Sequence, residues 1–260
     1  MSETETKTQH RSKEIIIEKF NTHVRNKKFI KSGGKKHHDG AEGHWLEKQM
    51  GIAPNSDNAP DLLGYEQKKY SKKITFGDWS ASSYYYKNKN ISRDDFIKAF
   101  GSPNPKKNNR YSWSGSVFPK YGEKYNFAGQ RIRFLDNDNL VIEYSYKNDT
   151  REEKDGFLEI LLPLPPTEPI ILAIWEKKKL ETHLLNKFGV KGFYICKKDK
   201  KTGLYNKICF GEKINFKLFK KGIIQRIIIL DSGMYQGNTR PYSNFRASKD
   251  YWDLLITEEY

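Results

Sequence analysis

The segment Pro60-Asp61-Leu-Leu-Gly64-Tyr65-Glu66-Gln67-Lys68 constrains this chain more than any other. Glu66 and Lys68 stand two residues apart in a stretch expected to be extended, so their side chains share one face of a strand. Asp61 lies five residues before Glu66, beyond a Leu-Leu-Gly bend, and can return to that face from a neighbouring strand. Two carboxylates and an ammonium are thereby gathered on one surface. Carboxylate oxygens are the ligands that Mg²⁺ prefers, and a metal beside an ammonium can ionise water near neutral pH. That is the equipment phosphodiester hydrolysis needs. An Asp…Glu-x-Lys pattern by itself arises about once by accident in a chain of ordinary composition, so its surroundings must decide.

Upstream, Ile16, Phe20 and Val24 recur every four residues and predict an amphipathic helix beginning near Ser12, after a polar, frayed stretch at 1–11. Residues 31–40 read as a basic loop. Its Lys35 and Lys36 belong either to a solvated linker or to a phosphate-contacting loop. Ala41 to Met50 predicts a short helix capped by Gly51, with Trp45 facing inward. Glu47 on that helix is either a solvated charge or a carboxylate supporting a metal site from the side.

Ile74 to Trp79 predicts a strand, and Ser92-Arg-Asp-Asp95 is a capping-box signature opening a helix through Phe100. Residues 101–129 read as a long Pro-, Asn- and Gly-rich loop. Arg131 to Leu135 and Leu140 to Tyr146 form a hairpin around Asp136-Asn-Asp-Asn139. Phe157 to Leu162 predicts a strand, Leu180 to Phe188 a helix, and Phe193 to Lys198 with Leu204 to Phe210 a second hairpin. A short basic helix near Phe216 to Lys221 leads into Ile223 to Leu230, whose nearly continuous apolar character predicts a central strand buried on both faces.

Net charge decides between partners. The 260 residues carry a formal charge of +15 with 14% aromatics, which favours a polyanion through counterion release. No run of about 18 apolar residues suits a membrane span, and the N-terminal residues lack the apolar core of a signal peptide. Cys196 and Cys209, on consecutive predicted strands, are expected to be buried thiols in a reducing cytosol. No histidine or cysteine spacing suits zinc.

With these residues in place, a family likeness emerges. His44-Trp-Leu-Glu47…Gly51…Pro60-Asp61-Leu-Leu-Gly64-Tyr-Glu66-Gln-Lys68 resembles the catalytic core of the MutH/MvaI-type endonucleases of the PD-(D/E)xK superfamily. Ile74-Thr-Phe-Gly-Asp-Trp-Ser-Ala81 points within that group to LlaMI-like type II restriction enzymes. Lys69 stands where MutH has Thr, and the Asp-to-Glu gap is shorter than in MutH, which weighs against repair-type activity. The resemblance implies an α/β (α+β) fold, with a mixed central sheet flanked by helices and two lobes around a DNA cleft. We expect a single endonuclease unit, with a catalytic lobe over approximately 12–130 and a DNA-recognition lobe over 131–260.

It further implies that Asp61, Glu66 and the backbone carbonyl of Gln67 ligate Mg²⁺, with Mn²⁺ able to substitute. Lys68 would position and activate the attacking water, and Glu47 would order a second metal or water. Base reading falls to the late loop, where Gln236, Asn238, Arg240, Tyr242, Asn244 and Arg246 offer donors and acceptors to base edges. Lys35, Lys36, Lys106 and Lys107 suit phosphate contacts. The expected function is sequence-specific cleavage of double-stranded DNA at a short, nearly palindromic CCNGG-type site, by a cytoplasmic protein. It would act as a monomer, or as a transient dimer on DNA, beside a cognate DNA methyltransferase. The alternatives are a MutH-like nicking enzyme and a non-catalytic basic DNA-binding protein.

Overall fold

The structure is a computed structural model that describes residues 3–30, 40–53, 58–156 and 169–260. In chain order, helices α1 (Glu3–His23) and α2 (Ala41–Met50) precede strands β1 (Glu66–Lys69), β2 (Lys73–Asp78) and β3 (Ser83–Tyr84). Helices α3 (Tyr85–Asn88) and α4 (Arg93–Phe100) lead to β4 (Ser102–Asn104), β5 (Arg110–Trp113), β6 (Ala128–Phe134), β7 (Leu140–Asp149) and β8 (Ile170–Trp175). Then come helix α5 (Lys177–Leu184), β9 (Phe193–Lys198), β10 (Tyr205–Gly211) and helix α6 (Phe216–Ile224). Last are β11 (Ile228–Ser232), β12 (Met234–Tyr235), β13 (Ser243–Ser248), helix α7 (Lys249–Leu254) and β14 (Ile256–Glu259).

The chain divides into two compact units, and neither is a contiguous half. The first comprises Met1–Ile74, Thr182–Phe216 and Ser248–Tyr260; the second comprises Thr75–Glu181 and Lys217–Ala247. The reason is strand pairing: β1 lies parallel to β9, with Glu66 opposite Phe193 and Lys68 opposite Ile195, which draws residues far apart in sequence into one sheet.

In the first unit the sheet order is β1-β9-β10-β14, mixed in direction because β9 and β10 form an antiparallel hairpin. The Ile16–Phe20–Val24 stripe of α1 and Leu46 and Met50 of α2 are fully buried against Tyr194, Cys196 and Phe210 of that sheet. Helix α1 starts at Glu3, so residues expected to fray continue it. Gly51 ends α2 in the left-handed region at φ 75°, as the sequence predicts. Trp45 packs on the same cluster and stacks on Tyr205 at 5.6 Å. On the other side of the sheet, Phe193 meets Trp252 of α7 edge-on at 4.9 Å. Cys196 and Cys209 are free, buried thiols.

The second unit contains the antiparallel sheet β3-β8-β7-β6 and two small sheets, β11-β13-β2 and β12-β5-β4. The hairpin around 136–139 is present as β6 and β7, and Ser92 caps α4 by accepting from the Asp95 amide at 3.0 Å. Tyr84, Tyr85 and Tyr86 are buried. Two expectations change. Residues 101–129 are not a bare loop: Trp113 of β5 is buried, and its indole donates to the buried Gln130 at 2.7 Å. The run Ile223 to Leu230 is not one central strand. Ile223 and Ile224 finish α6, Arg226 turns the chain at φ 59°, and among the described residues β11 pairs only with β13 at the edge of its sheet. Its apolar residues serve two elements, alternating in burial once the strand begins. The strand predicted over 157–162 lies outside the described residues.

Candidate active site

Asp61, Glu66 and Lys68 come together because a tight turn folds the chain back immediately before β1. Leu62 and Tyr65 exchange backbone hydrogen bonds at 3.0 and 2.9 Å. Leu63 and Gly64 between them both have positive φ, 50° and 88°. Paired positive φ values across a two-residue loop define a type I′ turn. The reversal carries Asp61 back along the strand, where its Oδ2 accepts the Gln67 amide at 2.8 Å.

On β1 the side chains alternate as a strand requires. Gln67 points to the face of its partner Tyr194, whose hydroxyl donates to Gln67 Oε1 at 2.7 Å. Glu66 and Lys68 lie on the opposite face, with Lys68 Nζ donating to Glu66 Oε1 at 2.8 Å. Lys68 also lies 5.3 Å from the centre of the Phe188 ring. A second ammonium, Lys187, donates to the same Oε1 at 2.7 Å. Lys187 comes from the π-helical turn Leu185–Gly189 after α5. Nothing in its sequence surroundings marks it; the parallel β1–β9 pairing brings it in.

The electrostatics divide the two carboxylates. Burial, reinforced by the nearby Glu66 charge, pushes Asp61 from its ordinary 3.8 to about 6. Burial also pushes Glu66 upward, but Lys68 and Lys187 outweigh it and hold that carboxyl below its usual range. Lys68 is pulled below the usual ammonium range by its own burial. Glu66 Oε2 is buried and finds no hydrogen-bond partner among the described residues. A buried carboxylate oxygen left unpaired is costly.

That orphaned oxygen, with Asp61 nearby, suits a hard divalent cation, which takes oxygen ligands and fills its remaining positions with waters or phosphate oxygens. The protein's side-chain share is small. Among the described residues, no group of three acidic, imidazole or thiol side chains is close enough to hold one ion. Glu47 lies on α2, its Oε2 3.6 Å from His44 Nδ1. Its charge reaches Tyr194, whose phenol burial chiefly raises, with Cys196, Asp61, Glu66 and lastly Glu47 adding to that rise.

The loop residues singled out from sequence fall into two sets. Gln236 and Asn238 are engaged by the backbone: Gln236 Oε1 accepts the Tyr111 amide of β5 at 2.8 Å, and Asn238 bonds Tyr235 N and Arg240 O within the loop. Arg240 remains 62% exposed while pairing with Asp78 at 2.8 Å, and it lies over the Tyr242 ring. Arg246 on β13 pairs with Asp231 at 3.0 Å, and Asn244 sits opposite Asp231 in the same ladder, half-buried. Sequence reasoning missed Arg110, whose guanidinium stacks on Tyr235 at 3.6 Å. Lys35 and Lys36 lie outside the described residues.

Comparison with known proteins gives this geometry a family. The LlaMI restriction endonuclease family model matches residues 24–260. The type II restriction enzyme ScrFI of Lactococcus lactis subsp. cremoris is 40% identical over 270 residues, spanning 95% of this chain and 98% of its own. In fold, the solved complex of restriction endonuclease MvaI with its cognate DNA substrate is similar, with TM-score 0.60 at 15% identity, covering 100% of this chain and 98% of that one. The α+β architecture is thus a fold of PD-(D/E)xK type. The chain belongs to the LlaMI restriction endonuclease family, a family of site-specific deoxyribonucleases.

Proposed function

We propose that this restriction endonuclease hydrolyses double-stranded DNA with Mg²⁺ held by Asp61, Glu66 and the backbone carbonyl of Gln67. The observation that carries the reading is the unpaired, buried Glu66 Oε2 beside Asp61. Bound there, Mg²⁺ would supply charge neutralisation at the phosphate and a more acidic water. The other steps belong to the chain itself. Glu66 is kept ionised by its two lysines, so it remains a ligand well below neutral pH. The Gln67 amide fixes one Asp61 oxygen and so orients the carboxylate. Lys68, packed on Phe188 and anchored to Glu66, holds an ammonium where it can orient the attacking water and offset charge on the transition state. Glu47 is a supporting carboxylate, through a water or a second ion.

The products would carry 5′-phosphate and 3′-hydroxyl ends. The target would be a short, pseudo-palindromic site of CCNGG type, read by Arg240, Arg246, Tyr242 and Asn244 within a loop shaped by Gln236 and Asn238. The restriction reading is preferred to a repair nickase because a type II restriction enzyme is 40% identical across almost the whole chain. We place the protein in the cytoplasm as a monomer, with a cognate DNA methyltransferase as its genetic partner. No helix among the described residues is long and apolar enough to cross a membrane. Incubating plasmid DNA with the protein tests the reading. Discrete double-strand fragments with Mg²⁺, absent with a chelator, support it. Stable nicks would favour the nickase, and intact plasmid would refute cleavage.

A further inference from the structure

The turn that returns Asp61 to the site is built on an unexpected residue. The first central position of a type I′ turn requires positive φ and is ordinarily Asn, Asp or Gly. Leu63 holds it at φ 50°, where a bulky branched side chain crowds its own backbone. Interior packing does not compensate: Leu63 is 42% exposed, whereas its neighbour Leu62 packs on the core cluster. A residue disfavoured by its backbone and little rewarded by burial points to a demand from outside the fold.

A second exposed apolar group stands beside it. Val190 is 48% exposed, and its Cγ1 lies 3.0 Å from where a Cβ on Gly64 would stand. Leu63 is two residues from Asp61 and three from Glu66, and Val190 follows three residues after Lys187. Leu63 thus sits in the turn that joins the two carboxylates, and Val190 packs on that same turn.

We propose that Leu63, with Val190 beside the turn, is an apolar bearing surface for the deoxyribose next to the scissile phosphate. This rests on reading Asp61, Glu66 and Lys68 as the hydrolytic site. The DNA backbone alternates charged phosphates with sugars whose C–H faces are apolar. Charged groups at the site engage the phosphate, so an apolar group at their margin finds its complement in the adjoining sugar. The reciprocal hydrogen bonds of the turn make Leu63 a stiff support, at 3.0 and 2.9 Å. Contact there fixes how far the phosphate sits from Asp61 and Glu66, and a misplacement of about 1 Å costs roughly 100-fold in rate.

The test uses the full-length protein in excess over supercoiled plasmid, with Mg²⁺. Leu63→Asn installs a residue the turn prefers, so the melting temperature should hold or rise by about 1–4 °C. Cleavage should nevertheless slow about tenfold or more, and Leu63→Met, which restores an apolar contact, should recover most of that loss. Wild-type cleavage by Leu63→Asn would overturn the proposal, as would a Leu63→Met variant as slow as Leu63→Asn. A lower melting temperature for Leu63→Asn would overturn the premise that leucine is disfavoured there. Lys68→Ala, measured alongside, separates the two levels. If Lys68→Ala is inactive while Leu63→Asn is fully active, the sugar contact alone is wrong; if Lys68→Ala is fully active, the site itself is.

Discussion

Replacing Asp61 with Asn should stabilise the metal-free protein. Burial and the Glu66 charge raise Asp61 from 3.8 to about 6. At about 1.4 kcal/mol per pH unit this amounts to roughly 3 kcal/mol. Asp61 keeps some solvent contact, so about 2–3 kcal/mol is the reasonable expectation after screening. The folded pKa lies above the unfolded one. Its stabilising contribution is therefore complete below pH 3.8 and is lost as pH rises through about 6. Asn removes the titration yet can still accept the Gln67 amide through its carbonyl oxygen. In chelator, denaturant unfolding followed by circular dichroism should show equal stability near pH 4. The variant should gain steadily to about 2–3 kcal/mol above pH 7. Adding Mg²⁺ should shrink the gap, because an ion binding the folded wild-type carboxylate stabilises only that protein. A difference independent of pH, or a variant less stable at pH 8 in chelator, would show that Asp61 is not held at a raised pKa.

Other perturbations reach neighbouring parts of the account. Lys187→Met removes one of the two ammonium groups on Glu66; Glu66 should then titrate higher, moving the acid limb of the cleavage profile to higher pH and slowing cleavage about tenfold. An unchanged profile would count against Lys187. Gly64→Ala meets both a φ of 88° and Val190 Cγ1 at 3.0 Å, so it should cost about 1–3 kcal/mol in unfolding free energy; full stability would argue against the turn. Arg240→Ala should weaken binding to a cleavable duplex by about 1–3 kcal/mol in gel-shift titration in Ca²⁺. Its exposed pairing with Asp78 predicts little change in melting temperature.

What could be read from sequence was local. The Ile16–Phe20–Val24 stripe, the Gly51 cap, the Ser92 capping box and both hairpins depend on interactions a few residues apart, and each is present. Asp61, Glu66 and Lys68 were legible for the same reason: one turn and one strand bring them together. Lys187 was not, because only the pairing of β1 with β9 carries it to Glu66. Ile223 to Leu230 misled because a helix end and an edge strand abut without a polar break. The burial of Trp113 inside a Pro- and Asn-rich stretch likewise depends on distant Gln130. Gln236 and Asn238 carry the donors and acceptors expected of base readers, yet their amides bond backbone groups, of β5 and of the loop itself, a choice that composition does not reveal.

Lys68, anchored on Glu66, should be required for hydrolysis rather than for DNA binding. The most direct measurement is the single-turnover rate of plasmid cleavage with Mg²⁺ for wild type and Lys68→Ala, with duplex binding measured in Ca²⁺. Cleavage should fall by at least about 100-fold with binding retained. Cleavage by Lys68→Ala at the wild-type rate would contradict it.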